Sequence, residues 1–419
     1  TTGFGQPGSW WTHINNGKYI KRRLAGLIRS QGVDVLEYVQ CTKILVQDGK
    51  AIGAAGFHVL DGTFHIIRAK IVISALGRLN GRVSVNSSLN PFNSAFSPFI
   101  TGSQIALPYE AGAQIITLDT EQEATLLPKG WGCPGMNGIT SSGAKGINAL
   151  GQRYMGKYHP MMEIGPRYLL IQGTHRELTE GNGPPFVLDL THIDRDILHH
   201  LQYDSMPGDK ETYLEYCEAR KIDFTKTPLE VEVGERMIGG IVRSDATQET
   251  DVENLFNGTM IHTFSGAMCL GYTAGGFAAR KAAEVEMPSL PEDMVERRRA
   301  EIYAPLENGG KGSVSWNVFE DGIRQVMDYY VGYQRTEGSM EQALKSFETL
   351  AAYVPRIAAS TVRELMRSHE SMELFRLCRC YVQACMQRKE SGRAMYRRAD
   401  YPELDAALAK CLVTSLDES

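Results

Sequence analysis

The sequence predicts an α/β protein whose sheet-bearing part is split by a loop-rich insertion and followed by a helical tail. Three observations carry that prediction. Residues 33–77 run strand after strand and close on the apolar stretch AKIVISALG. Residues 251–283 return to sheet-like, glycine-rich sequence and end in an Ala-rich helix. Residues 291–390 read as helix almost throughout.

Each element has a local reason. The opening Gly3-Phe4-Gly5-Gln6-Pro7-Gly8 spells G-x-G-x-x-G. A phosphate loop of that pattern must leave a buried strand and open a helix. Only two residues precede it, and Pro7 with the following SWWTHINNG does not start a helix, so it reads as a glycine-rich loop. Residues 16–30 read as a helix with Tyr19, Leu24 and Leu27 on its apolar face. Asp48-Gly49 and Asp61-Gly62 are hairpin turns between the strands that follow. The stretch AKIVISALG has the continuous apolar character of a strand buried on both faces. From about residue 86 the texture turns to Asn, Ser, Gly and Pro loops with short elements such as GAQIITL and PFVLDLTHI. After Gly271-Tyr272-Thr273 and Gly275-Gly276, the run FAARKAAEVE reads as a helix starting at the glycines. EMPSLPED breaks the chain before the helical tail, and neither internal repeats nor low-complexity tracts are evident.

Composition narrows the function classes. The 419 residues suggest about three domains. Hydrophobic residues at 42% and charged residues at 22% suit a globular chain with a sizeable core. The net charge of −5 offers no basic field for nucleic acid or a membrane surface. No apolar run approaches the roughly 18 residues of a membrane-spanning helix. Of eight cysteines, Cys378, Cys380 and Cys385 cluster in LCRCYVQAC. That spacing lacks a second metal-ligand pair, so they read as helix-packing thiols in a reducing, cytoplasmic setting.

Four stretches carry a family resemblance: DGTFHIIRAKIVISALG, GNGPPFVLDLTHI, RRRAEIYAPLE and RKESGRAMYRRADYPELD. They resemble segments of the flavoprotein subunits of the succinate dehydrogenase/fumarate reductase family, and within it the alpha subunit of adenylylsulfate reductase. The resemblance implies an FAD-binding (Rossmann-like) α/β domain with an inserted α+β capping domain and a C-terminal helical domain. Its boundaries fall at residues 1–85 and 241–285 for the FAD-binding domain, 86–240 for the insertion and 286–419 for the tail. The family's dinucleotide loop lies upstream of Thr1, so the chain reads as N-terminally incomplete.

The resemblance also implies a cofactor and a site. FAD is the implied cofactor. Ala75-Leu76-Gly77 fall where the family backbone passes the flavin nucleotide, although Arg78 replaces a second glycine. Gly271, Tyr272, Thr273, Gly275 and Gly276 fall in the segment facing the flavin ring, and Cys41 falls near the position that faces adenine. The dicarboxylate machinery does not carry over. Lys145 stands where the family has its catalytic arginine, and Glu235 and Ala124 fall at or near two of its histidines. Met260 or Thr263 falls at its acidic ribityl ligand. A lysine does not replace a bidentate guanidinium on a carboxylate. Lys145, Glu235, Arg236 and His262 remain as catalytic candidates. The expectation is an FAD-dependent oxidoreductase subunit acting on something other than a simple dicarboxylate. The adenylylsulfate reductase resemblance implies an anionic sulfur nucleotide as substrate class and a ferredoxin-like iron–sulfur partner. The alternative is a flavin-free relative that keeps the fold as a structural or partner-binding subunit.

Overall fold

The computed structural model describes residues 19–79, 81–123, 126–133, 139–140, 142–200, 203, 214–234, 236–259, 264–392 and 395–416. The glycines of GFGQPG, with Ala124, Glu235, Met260, His262 and Thr263, lie outside them. The chain folds as two units. One comprises Thr1–Val35, Ser84–Pro98 and Gln122–Met237; the other comprises Leu36–Val83, Phe99–Glu121 and Ile238–Ser419.

In the first unit, helix α1 (Ile20–Ser30) forms where the apolar spacing predicts it, but none of its residues is buried. The second unit opens on a three-stranded antiparallel sheet, β1 (Val39–Gln47), β2 (Lys50–His58) and β3 (Phe64–Arg68). The turn from β1 to β2 is the Asp48-Gly49 pair, both left-handed at φ 51° and 74°, as a tight two-residue hairpin requires. Then comes β4 (Val72–Ser74), and, after an excursion into the first unit, α2 (Ser103–Glu110) and β5 (Ile115–Ile116).

The sheet of the first unit holds four antiparallel strands. They are β6 (Leu126–Pro128), β7 (Lys145–Ile147), β8 (Phe186–Asp189) and β9 (Leu229–Val233), in the order β6-β9-β8-β7. Helix α3 (Arg167–Thr179) lies against β9. It is tied down by Tyr154, whose buried hydroxyl is 2.7 Å from that of Thr174.

The chain returns to the second unit through β10 (Ile241–Val242) and β11 (Leu255–Asn257) and enters α4 (Phe264–Glu284). β11 pairs with β4 in parallel, Leu255 beside Val72 and Asn257 beside Ser74. The two stretches that flank the insertion therefore share one sheet. One expectation fails here: β4 is short and is not buried on both faces. Ala274 and Ala278 of α4 pack with Phe256 and Ile71 on one side. Val72, between Ile71 and Ile73, turns to the opposite face, and Ile73, on the same face as Ile71, is 42% exposed.

The tail forms α5 (Glu292–Glu307), α6 (Trp316–Tyr330), α7 (Glu337–Ala351) and α8 (Val362–Gln387), and β12 (Val413–Thr414) closes on β5. α7 starts at a reciprocal cap: Ser339 N donates to Thr336 Oγ1, and Thr336 N donates to Ser339 Oγ, each at 3.1 Å. Among the described residues, the tail shares its core with the rest of the second unit. One cluster joins Ile44 and Ala51 of the hairpin, Ile105 of α2 and Leu255 of β11 to Phe319, Phe347, Leu374 and Tyr381. Cys378 and Cys385 are buried in it, Cys380 is half-buried, and all three are free thiols. Among the described residues no cluster of His, Cys, Asp and Glu is arranged to hold a metal, and no helix is long and apolar enough to cross a membrane.

Burial in this unit extends to charge. Arg82, wholly inaccessible, grips Glu320 with two bonds of 2.9 and 2.6 Å and reaches Glu370 at 2.7 Å. Arg335, also inaccessible, pairs with Glu121 and donates to Tyr381 Oη at 2.6 Å.

Candidate flavin site at the strand ends

Parallel strands present their carboxyl ends together, and ligands of open α/β sheets bind there. In the second unit β4 and β11 do this. β4 runs into Ala75-Leu76-Gly77, and β11 runs into Gly258 and on towards α4. Gly258 N donates to Ser74 O at 2.8 Å, locking the two exits side by side. A Cβ on Gly258 would come within 2.7 Å of Ile73 Cγ2, and one on Gly271 within 3.3 Å of Gly258 O. The glycines let α4 settle close over the strand end.

A buried amide holds the arrangement together. Gln104 of α2 is 2% exposed. Its Oε1 accepts from Leu76 N at 2.6 Å and from Ser74 Oγ at 2.9 Å. Its Nε2 donates to Ser74 O at 3.2 Å and to Asn257 Oδ1 at 3.0 Å. Asn257 in turn donates to Val242 O at 3.3 Å. One side chain thus ties together the ends of both parallel strands. The sequence reading missed Gln104, Asn257 and Ser74, because nothing in their spacing sets them apart from loop polar residues.

The expected site residues fall out unevenly. Ala75 and Leu76 are exposed beyond β4, whereas Gly77 is glycine for an internal reason: a Cβ there would meet Ile100 Cγ2 at 2.5 Å. Gly271, Tyr272, Thr273, Gly275 and Gly276 do not open a helix. They lie inside α4, which begins at Phe264, with Gly275 about three turns in. The residues ahead of them, Phe264 to Leu270, include Ala, Met and Leu, good helix formers. The run is therefore helical before the glycines, whose amides are not the free ones of a helix start. Gly275 and Gly276 have open space where a side chain would go, and Tyr272 is 87% exposed. The half-buried Cys41 donates its thiol to Lys43 O at 3.6 Å, and burial pushes it up to about 11, so it stays protonated.

Of the catalytic candidates, Lys145 and Arg236 are among the described residues. Lys145 is half-buried on β7 of the first unit, directly opposite Asp189 of β8. Its neighbour Gly146 donates its amide to the buried Glu163 at 2.8 Å, and Glu163 also accepts from Arg153 Nη2 at 2.7 Å. Burial raises the affinity of Asp189 for a proton. The Thr191 hydroxyl and amide outweigh that, with the charges of His192 and Lys145, and hold the carboxyl below its ordinary range. His192 Nε2 lies 3.1 Å from Gly143 O, two residues before Lys145. The result is a rigidly backed cation with an ionised carboxylate and an imidazole close by. Arg236 is buried at 9% exposure in a short strand, Arg236–Ile238.

Comparison with known proteins agrees with the cofactor reading. Residues 4–311 match the family model described as FAD binding domain, and residues 320–417 match that of the fumarate reductase flavoprotein C-terminus. An uncharacterised FAD-dependent oxidoreductase of Methanocaldococcus jannaschii is 26% identical over 401 residues, covering 92% of this chain and 71% of that protein. The fumarate reductase flavoprotein subunit of Haemophilus influenzae is 25% identical over 407 residues, covering 86% of this chain and 64% of the relative. Among solved structures, adenylylsulfate reductase from Archaeoglobus fulgidus superposes with a TM-score of 0.78 at 19% identity, over 90% of this chain and 72% of that one.

Proposed function

The chain belongs to the FAD binding domain family, with the C-terminal part of fumarate reductase flavoproteins, and from that premise we propose a flavin-bearing subunit acting on an anionic substrate other than a simple dicarboxylate. The family makes it an FAD-dependent oxidoreductase. Bound flavin supplies the two-electron chemistry. The single observation that supports the proposed site is the parallel β4–β11 pair, whose carboxyl ends lie side by side with Ala75 and Leu76 exposed just beyond them. In this reading Ala75, Leu76, Gly258 and the start of α4 meet the cofactor, and the buried Gln104 fixes their backbone.

Lys145 takes the part of substrate-binding cation. An ammonium is a compact point charge, whereas a guanidinium grips a carboxylate with two parallel bonds. A lysine in that place favours a substrate with a single anionic group, such as the sulfur oxyanion of a sulfur nucleotide. Glu235, Arg236 and His262 are further candidates for proton delivery. Several relatives are named as subunits, and among the described residues this chain has no cluster arranged to hold a metal. A small iron–sulfur protein therefore suits the role of electron donor or acceptor, and the inserted unit that of a cap carrying Lys145.

The test is a purified full-length protein with bound-flavin absorbance, assayed with reduced dye against fumarate and adenylylsulfate. Lys145→Met should raise KM for the true substrate tenfold or more while leaving the flavin spectrum unchanged. An unchanged KM removes Lys145 from the site. A colourless protein would favour the flavin-free reading.

A further inference from the structure

The second unit carries a cavity of about 980 Å³ away from the strand ends described above. One wall is a stripe of α8 formed by Arg376, Arg379, Gln383 and Gln387, which recur at helical spacing along the helix face. The facing wall is the C-terminal segment around β12, where Tyr109 Oη donates to Ser415 O at 3.2 Å. Lys43 of β1 and Glu110 at the end of α2 close the floor.

The charges of this cavity do not balance. Lys43 Nζ sits 2.8 Å from Glu110 Oε2, and Arg376 pairs with the other oxygen of the same carboxylate. One negative group thus answers two positive ones. Arg379 is exposed one helical turn further on and makes no ion pair among the described residues. Among the described residues that line it, the cavity therefore carries two more positive charges than negative ones. Burial first, and then the Arg376 charge, lower Lys43 to about 8, as desolvation and a neighbouring like charge do to an ammonium. The volume is that of a small-molecule site. Two guanidiniums a turn apart offer several N–H donors to a tetrahedral, multiply charged group, and the glutamine amides lie beyond them along the same wall.

We propose that this cavity binds a phosphorylated small molecule, with its phosphoryl oxygens on Arg376 and Arg379 and its uncharged part along Gln383 and Gln387. The site is independent of the flavin reading, since none of its residues belongs to the strand-end cluster.

Calorimetric titration of the flavin-loaded full chain tests it, with pyrophosphate and inorganic phosphate as probes, malonate as a carboxylate rival, and chloride at matched ionic strength as control. Pyrophosphate should bind saturably, at least tenfold more tightly than malonate. Arg379→Gln should weaken it tenfold or more with the flavin absorbance unchanged. Gln383→Glu, which adds a negative charge to the same wall, should do the same without touching an arginine. Absence of saturable binding, binding by either variant as tight as by the unaltered protein, tighter binding of malonate, or displacement by chloride at matched ionic strength would each overturn the proposal.

Discussion

Gln104 and Arg335 show how much of this protein rests on single buried polar groups. Replacing Gln104 by Leu keeps the volume but takes from Leu76 N and Ser74 Oγ the oxygen they donate to. A buried group stranded in that way costs about 1–3 kcal/mol. Gln104→Leu should lower stability to denaturant by that amount and speed flavin release; unaltered flavin retention would separate Gln104 from the cofactor site. Arg335 is a harsher case. Arg335→Met takes away the cation that pairs with the nearly inaccessible Glu121 carboxylate, a loss of about 3–5 kcal/mol. The double variant Arg335→Met with Glu121→Leu should recover most of it, since a well-packed apolar pair is often as stable as a buried ion pair. A double-mutant denaturation cycle measures the difference. Neither residue stood out in the sequence, where a glutamine or arginine is most simply placed on the surface. Burial of such a group is decided by what folds over it.

Two helices set the expectations at the next scale. α8 carries His369 and Glu373 one turn apart, both buried, and burial acts on them in opposite senses. It pushes the Glu373 carboxyl up to about 7, against the Ser103 and Thr101 hydroxyls that bond it, with Glu370 adding to the rise and Lys43 opposing it. It pushes His369 down to about 4, against the bond to Ile302 O, with the Lys43 charge adding to the fall. The folded state holds the Glu373 proton more tightly than the unfolded chain does, so its contribution to stability falls as pH rises from about 4.5 through about 7. The neutral His369 contributes fully above about 6.5, and that contribution is lost as pH falls towards about 4. Denaturation of wild type and Glu373→Gln at about pH 5 and about pH 8 should show the variant losing less between the two, by on the order of 2 kcal/mol. Equal losses would mean that Glu373 ionises freely. In α4, Gly276 lies inside a helix with open space at its Cβ position. Gly276→Ala should therefore stabilise the chain by about 0.5–1 kcal/mol, read as a higher denaturant midpoint. The sequence placed α4 correctly but started it three turns late. The glycines that look like a helix entry are tolerated inside one, and Gly271 is there for its approach to Gly258 O.

At the scale of the molecule, the alternation of strands, insertion, strand and helical tail was legible, because period and turn chemistry write it directly. The Asp48-Gly49 hairpin and the β4–β11 partnership were both readable from the chain. What was not legible was how deeply the tail is built in. The stretch RKESGRAMYRRADYPELD turns out to be a set of buried ties. Arg388 bonds Asp119 at 2.7 Å, Glu390 accepts from Asp405 N at 2.9 Å, and Arg398 grips Asp400 with two bonds of 2.9 Å. A motif known by its pattern gives no hint of that. Function follows the same division. If Lys145 takes the arginine's place, as proposed, flavin-loaded protein should not turn over fumarate at rates typical of dicarboxylate enzymes. A steady-state assay with reduced dye checks this, and rapid turnover would show that the site is built from other residues. The ties have one further consequence, for how the chain reaches this state. Tyr109 meets Ser415 across 306 residues of sequence, and Arg335 meets Glu121 across 214. Contacts of such high order slow folding far more than they cost stability. On the ribosome the hairpin of β1 and β2 and the inserted sheet emerge before α6, α7 and α8, whose side chains complete the core of the second unit. Until then the apolar faces of β1, α2 and β11 await their covering helices. In that interval the nascent chain is most exposed to proteases and to aggregation, and most dependent on chaperones.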